Sequence, residues 1–125
     1  MRQYLRGLIA LVLFTASQAM AHHSFAAFDL NKTVVIQGEL TVVRFTNPHS
    51  WFEVKVAGAE GKSEMWKIEG LSPQQLFSRG LKRSAMKVGD KVTLTVNPMR
   101  NGEVGGSLVN ITLADGTTLL GGPGQ

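Results

Sequence analysis

Three histidines are the residues with the clearest capacity for chemistry in this chain of 125 residues. His22 and His23 are adjacent in the segment MAHHSF, and His49 lies in the segment TNPHSW. No cysteine is present, so a metal site would depend on nitrogen and oxygen ligands, and neither a thiolate nucleophile nor a disulfide is available. Imidazole nitrogen is a good ligand for Cu(II), Ni(II) and Zn(II).

The histidine pair directly follows a pattern that is typical of a secretory signal peptide. Two arginines precede an apolar run over residues 8–16, and Ala19, Met20 and Ala21 have the small-x-small spacing that signal peptidase recognises. The run is shorter than the ~20 residues that a membrane-spanning helix needs. We predict a signal peptide over residues 1–21, with cleavage after the third residue of that triplet, or alternatively after its first. The protein is then periplasmic or secreted, with no stable membrane anchor.

Cleavage after Ala21 would make His22 the first residue of the exported protein. Its free amine and its ring could then chelate one metal ion, since their reference pKa values of ~8 and ~6.5 lie close enough to neutral pH for a metal ion to displace the remaining protons. The Irving–Williams order favours copper over zinc and nickel. We therefore predict a metal site formed by His22, His23 and His49, with copper as the favoured metal. The alternative is that the pair only keeps the cleavage site accessible.

Composition restricts the remaining function classes. Removal of 21 residues leaves 104, a single small domain that offers little room for a substrate cleft, and no nucleophile–base–acid set is visible. The chain has 13 basic and 9 acidic residues, and two of the basic residues lie in the predicted signal peptide. The remaining excess of positive charge is small and export separates the protein from most nucleic acid, so we expect neither an enzyme nor a nucleic-acid-binding protein. A periplasmic protein partner is compatible with these features.

Alternating residues predict a β-hairpin in the middle of the chain. The runs SWFEVKVA (50–57) and SEMWKIE (63–69) each alternate with a period of two, which is the period of a half-buried strand. One register satisfies both the apolar and the charged positions. It pairs Val54 with Trp66, Phe52 with Ile68 and Glu53 with Lys67.

The flanking segments predict three further strands and a helix. Residues 33–46 read as one long strand that is bent or bulged at Gly38. Ser72 and Pro73 begin a helix over PQQLFSR that ends near Gly80. We place several apolar side chains on inward faces: Leu76 and Phe77 on the helix, Val92, Leu94 and Val96 on a strand after the Gly89–Asp90 turn, and Val109, Ile111 and Leu113 on a strand over 107–114 that a short return over 117–120 follows.

This order of three strands, one short helix and two strands predicts an all-β fold with one helix, an OB-fold-like five-stranded barrel of order β1-β2-β3-α-β4-β5. A small sandwich is the alternative. The predicted organisation is a lead-in segment over 22–32, the barrel over 33–120 and a flexible tail over 121–125. The loop that carries His49 joins the first two strands, and this loop belongs to the usual ligand rim of an OB-fold.

Other residues of the predicted rim could support the histidines. Asn47 could orient a ligand, Asp29 and Glu69 could act as hydrogen-bonding partners of the ligands, and Trp51 is phased outward as a possible stacking platform. The first strand carries the chain away from its start, so His22 and His49 are expected to begin at opposite ends of the barrel. An extended lead-in of eleven residues spans up to ~36–40 Å and could return to the rim.

The motifs of the chain resemble those of an uncharacterised family of small exported bacterial proteins. The resemblance covers nearly all of the exported part and depends on AHHSF, TNPHSWFEV, LSP, RGL, KVGDKVTLTV and LADG. It implies a secreted, compact β-domain and supplies no activity. The competing interpretation is therefore a structural or protein-interaction domain in which the histidines only pack the N-terminal segment and His49 hydrogen-bonds within its own loop.

Overall fold

A computed structural model describes residues 26–120 of the chain. The predicted signal peptide, His22, His23 and the predicted tail over 121–125 lie outside the described residues. Within the described part, no helix has the length and apolar character needed to cross a membrane.

Six strands and one α-helix make up the described chain. Five of the strands close into a barrel because β3 and β5, which are parallel, complete the ring of otherwise antiparallel pairs. This confirms the predicted OB-fold-like barrel and its element order, and the sixth strand extends the sheet beyond β5. The elements are β1 Val34–Arg44, β2 Trp51–Ala57, β3 Ser63–Glu69, α1 Pro73–Ser78, β4 Lys91–Pro98, β5 Gly105–Thr112 and β6 Thr118–Leu120, with short 3-10 turns at Ala59–Gly61 and Arg83–Ala85.

The β2–β3 hairpin has the register that the alternation predicted. Val54 is opposite Trp66, Phe52 is opposite Ile68 and Glu53 is opposite Lys67. The inward members of these strands lie in a single apolar core inside the barrel. Burial of each such side chain contributes roughly 1.5–3 kcal/mol, so the correct register is strongly favoured over a one-residue slip.

The bulge in β1 lies three residues beyond Gly38, where the sequence predicted a bend or a bulge. The register with β2 shifts between Leu40 and Val42, so Thr41 forms the bulge and its hydroxyl donates to the Glu53 carbonyl at 3.2 Å. Gly38 has a different role, because a Cβ there would lie 2.4 Å from the Lys55 carbonyl oxygen. At Gly38, β1 pairs with β2 on one side and with β4 on the other. The absence of a side chain lets the β2 backbone approach closely at this position.

A second bulge corrects the predicted inward face of β5. The register between β4 and β5 shifts so that Leu108, and not Val109, turns into the core. Ile111 and Leu113 are buried as predicted. The extra residue of a bulge reverses the alternation on one side of it, which a strict period of two cannot anticipate.

The helix confirms its predicted start and corrects one of its predicted inward residues. Ser72 accepts from the Gln75 backbone amide at 3.3 Å in a capping box, and Leu76 is buried in the core. Phe77 is 36% exposed and packs on Phe45, with ring centroids 5.2 Å apart, outside the barrel. Successive helical residues point about 100° apart, and in this helix Leu76 takes the inward direction while Phe77 lies to the side.

The stagger of the barrel decides where the two ends of β1 lie. A path through paired residues around the barrel leads from the end of β1 back to its beginning, ten residues earlier in the strand. Strand tilt imposes this offset when a sheet closes. The path runs through Arg44, Trp51, Glu69, Ser107 and Asn97, whose neighbour Val96 pairs with Val34.

Candidate functional site

The N-terminal segment is held on the barrel by backbone hydrogen bonds to the β4–β5 connection. The Asp29 amide donates to the Pro98 carbonyl at 2.9 Å, and the Arg100 amide donates to the Ala27 carbonyl at 2.9 Å. Phe28, between them, forms a bridge with Met99 and is only 4% exposed. Residues 27–29, close to the start of the described chain, are therefore packed onto the barrel.

The expectation that His22 and His49 begin at opposite ends of the barrel concerns a residue outside the described range, but Ala27 and Phe28 lie on the rim that carries His49 and Glu69. Because of the stagger, the start of β1, the end of β3 and the start of β2 all reach the same rim. Asn97 of β4 adds a contact between this strand and the N-terminal segment, because its side-chain amide donates to the Lys32 carbonyl at 2.7 Å. The lead-in consequently needs no long return path.

His49 occupies the β1–β2 loop on this rim. The Asn47–Pro48 peptide in the loop is cis, and the Thr46 hydroxyl donates to the His49 carbonyl at 2.9 Å. The His49 ring lies against the end of β3, where its Nδ1 is 3.3 Å from the Gly70 carbonyl oxygen and 3.3 Å from Glu69 Oε1. The side chains of His49 and Glu69 are 28% and 12% exposed, so the pair is largely shielded from water.

The surroundings of Nδ1 determine which nitrogen of His49 is available as a ligand. Both neighbours of Nδ1, the Gly70 carbonyl and the Glu69 carboxylate, are acceptors. Nδ1 must therefore carry the hydrogen, and in the neutral ring the free lone pair is on Nε2. A histidine whose other ring nitrogen donates to a carboxylate or a carbonyl has the usual arrangement of a metal-binding histidine.

A cavity of about 300 Å³ lies beside this pair. Glu69 lines it, and Trp51, which is 42% exposed, forms part of its wall, as the outward phase predicted. The remaining wall is mostly apolar and includes the N-terminal segment itself. Its other lining residues are Ala27, Phe28, Lys67, Met99, Glu103, Val104, Gly105 and Gly106.

The other predicted site residues lie apart from the His49 ring. The Asp29 carboxylate accepts from the Asn31 amide at 3.2 Å and lies 3.5 Å from Lys32 Nζ, so it is engaged in its own turn. Asn47 is exposed in the loop. Between residues 26 and 120, no group of three or more histidine, aspartate or glutamate side chains is arranged to hold a metal ion.

The sequence did not lead us to expect that Met99 and residues 104–106 form one wall of the cavity. Gly106 of β5 pairs with Pro98 of β4, and a Cβ on Gly106 would lie 2.5 Å from the Asn97 carbonyl oxygen. Two adjacent glycines at the entry of a predicted strand were the available signal, because glycine within a strand often marks a close backbone approach. The two aromatic residues of the lead-in, Phe25 and Phe28, were a signal that it packs onto the domain, but Met99 as the partner of Phe28 was not predictable because the two lie far apart in the sequence.

A model of the family of unknown function DUF6152 matches residues 10–109 of the chain. The chain belongs to this family. The matched range contains all three histidines, and the predicted resemblance to an uncharacterised family is confirmed. No curated protein gives a significant match to this DUF6152 chain.

Two solved structures are similar to the DUF6152 chain. The mitochondrial single-stranded DNA binding protein Rim1 of S. cerevisiae superposes with a TM-score of 0.52 at 11% identity, covering 66% of this chain and 92% of Rim1. The TiaS protein, in its complex with a tRNA and ATP, gives a TM-score of 0.48 at 16% identity, covering 69% of this chain and 19% of TiaS. At this identity the likeness to Rim1 supports the OB-fold and nothing more.

Proposed function

We propose that this protein is an exported binding module, not an enzyme, that holds a transition metal, most favourably copper, at the His49 rim. The ligands are the amine and ring of His22, the ring of His23 and Nε2 of His49. Zinc and nickel are weaker candidates because copper binds nitrogen ligands more tightly at equal availability.

One observation carries the proposal: Ala27 and Phe28 line the same cavity as Glu69, whose carboxylate contacts the His49 ring. His22 precedes Ala27 by five residues, which span at most about 18 Å when extended. The histidine pair is thus tethered beside the third histidine, and a short tether raises the effective concentration of one ligand at the other to roughly the millimolar range.

Glu69 would orient the metal ligand without binding the metal itself. By accepting from Nδ1, its carboxylate fixes the ring orientation and the tautomer that leaves Nε2 free. The low exposure of the pair limits competition from water.

A titration of the processed protein with Cu(II) tests the proposal. Mass spectrometry first establishes that the chain begins at His22, and calorimetry then measures stoichiometry and affinity. One copper per chain is expected. Three glycines added before His22 separate the free amine from the imidazole ring with which it would chelate, without placing a histidine third from the new amine, and they should weaken binding by about tenfold or more.

Three glycines added after Gln125 are the matched control and should leave the affinity unchanged. The substitution His49→Ala should also weaken Cu(II) binding, and electron paramagnetic resonance should report one fewer coordinated nitrogen. If the N-terminal extension and His49→Ala both bind copper as tightly as the unaltered protein, the proposed site is refuted.

A structural or protein-interaction role is the second candidate, and the hydrogen bond from His49 to the Gly70 carbonyl favours it. This bond joins the β1–β2 loop to the end of β3 and could stabilise the loop with no metal present. Under this alternative His49→Ala lowers the melting temperature, while Cu(II), Zn(II) and Ni(II) leave the melting curve of the unaltered protein unmoved. Metal-dependent stabilisation would instead favour the binding module.

A further inference from the structure

The cavity beside Trp51 opens on the rim where OB-folds usually bind ligands, and its wall is mostly apolar. A group that fills it should therefore be apolar as well. Phe28, Trp51, Met99 and Val104 supply apolar walls, and the backbone of Gly105 and Gly106 supplies another. An apolar cavity of roughly 150 Å³ is enough to bind benzene, so a volume of about 300 Å³ accommodates one phenyl ring with room around it.

Phe25, which directly precedes the described residues, is a candidate occupant. Ala27 already lines the cavity, and Phe25 precedes it by two residues, which places the two Cα atoms at most about 7.6 Å apart. A tethered side chain does not lose the translational freedom that a separate ligand loses on binding, so it has an advantage over any free aromatic group.

We propose that the ring of Phe25 fills this cavity, so that the N-terminal arm of the protein itself covers the ligand rim of the barrel. The wall suits an aromatic ring: Trp51 and Phe28 offer ring contacts, and the sulfur of Met99 offers a favourable sulfur–aromatic contact. The rim is then occupied by the protein's own chain and is closed to nucleobases or sugar rings of a separate ligand.

This inference goes beyond the proposed metal site and does not depend on it. Docking of Phe25 would hold Ser24, His23 and His22 within three residues of a cavity that Glu69 borders, which favours the proposed site. The ring would dock equally in a protein that binds no metal, because apolar burial drives it.

Nuclear magnetic resonance of the processed, metal-free protein tests the docking directly. We expect nuclear Overhauser contacts from the Phe25 ring protons to the Met99 ε-methyl, the Val104 methyls and the Trp51 indole. Absence of all of these contacts, in a spectrum that shows the Phe28 contacts to Met99, overturns the proposal.

A pair of variants provides the second measurement. Phe25→Ala should shift the resonances of Val104, Gly105 and Gly106 and lower the melting temperature by at least about 4 °C. Phe25→Leu should restore much of that loss. Leu30→Ala is the matched control, since Leu30 lies in the same segment with half of its surface exposed, and it should change neither quantity appreciably.

The outcomes separate this inference from the proposed metal site. If Phe25→Ala perturbs the cavity no more than Leu30→Ala, or if contacts in a mixture of differently labelled chains show a second copy in the cavity, the docking model is wrong. A co-purifying small molecule that contacts Met99 and Val104 would also refute it. Failure of copper binding with the Phe25 contacts present would reject only the metal site.

Discussion

Two side-chain pairs on the barrel, Lys91 with Glu39 and His49 with Glu69, differ in what they can do. Lys91 Nζ and Glu39 Oε2 are 2.8 Å apart, but their side chains are 76% and 43% exposed. His49 Nδ1 and Glu69 Oε1 are farther apart, at 3.3 Å, but the pair is largely buried beside a cavity. The shorter contact is therefore the more thoroughly solvated one.

Burial and neighbouring groups, more than distance, give a charged pair a role. Exposed pairs are screened by water and salt and contribute little to stability. At the rim, the Glu69 carboxylate and the Gly70 carbonyl both face one ring nitrogen, and together they select a tautomer. The Lys91–Glu39 pair, by contrast, is mostly in contact with water.

The largest expected effect comes from removing the anchor that brings the N-terminal segment to the rim. Phe28→Ala should lower the free energy of unfolding by about 3 kcal/mol, because Phe28 is nearly fully buried against Met99. Urea denaturation measures this loss. If the proposed site is correct, Cu(II) affinity falls as well, because the histidine pair is no longer held at the cavity.

Val35→Ala is a suitable control for Phe28→Ala, since Val35 is largely exposed on β1. It should leave both stability and Cu(II) affinity nearly unchanged. A Phe28→Ala protein that unfolds at the same urea concentration as the unaltered protein would show that the segment is not anchored by this side chain.

The second effect concerns the rim pair itself. Glu69→Gln keeps the size of the side chain but removes the charge that faces Nδ1, and loss of such a partner typically weakens metal binding by about 10- to 100-fold. Calorimetric titration with Cu(II) measures the change. Glu103→Gln is the matched control, since Glu103 borders the same cavity but is exposed, and the interpretation fails if both variants bind copper equally well.

The smallest effect is expected at the exposed pair. The hydrogen bond and the charge of Lys91 lower the pKa of Glu39 below its usual value of 4.5. Any stability this provides is present above that usual value and is lost as the pH falls through the lower, folded-state pKa. Because both side chains are solvent-exposed this contribution is small, so Lys91→Ala should leave the melting temperature at pH 7 within experimental error.

Carbon-detected titration of the Glu39 carboxyl gives the corresponding measurement. Its midpoint should lie below 4.5 in the unaltered protein and move upward in Lys91→Ala. A midpoint that does not respond to the substitution would mean that Lys91 is not the cause. A large loss of stability at neutral pH would reverse the contrast between the two pairs.

Local patterns were sufficient to predict most of the elements. Alternation in β2 and β3 predicted their register, because a slip of one residue would expose Phe52 and Ile68. Ser72 and Pro73 predicted the start of the helix, because capping depends on neighbouring residues only. The bulges at Thr41 and in β5 were not predictable in this way, because each depends on a partner strand far away in the sequence.

The candidate site was predicted in its residues but not in its geometry. Glu69 and Trp51 were named from their phase and their place in the element order, and the contact of Glu69 with His49 needed the folded hairpin end. The expected separation of His22 from His49 stays a prediction, since His22 lies outside the described residues, but the position of Phe28 on the same rim as Glu69 was not anticipated, because a strand considered alone carries its two ends apart.

Periodicity and turn chemistry over a few residues specify most of the inward-facing side chains, the pairing of the hairpin and the element order of an OB-fold, so these could be read from the chain alone. That Phe28, Glu69 and His49 share one rim became visible only in the folded barrel. The physical reason is the stagger of a closed barrel, which returns the beginning of β1 to the level of its end and is a property of all five strands together.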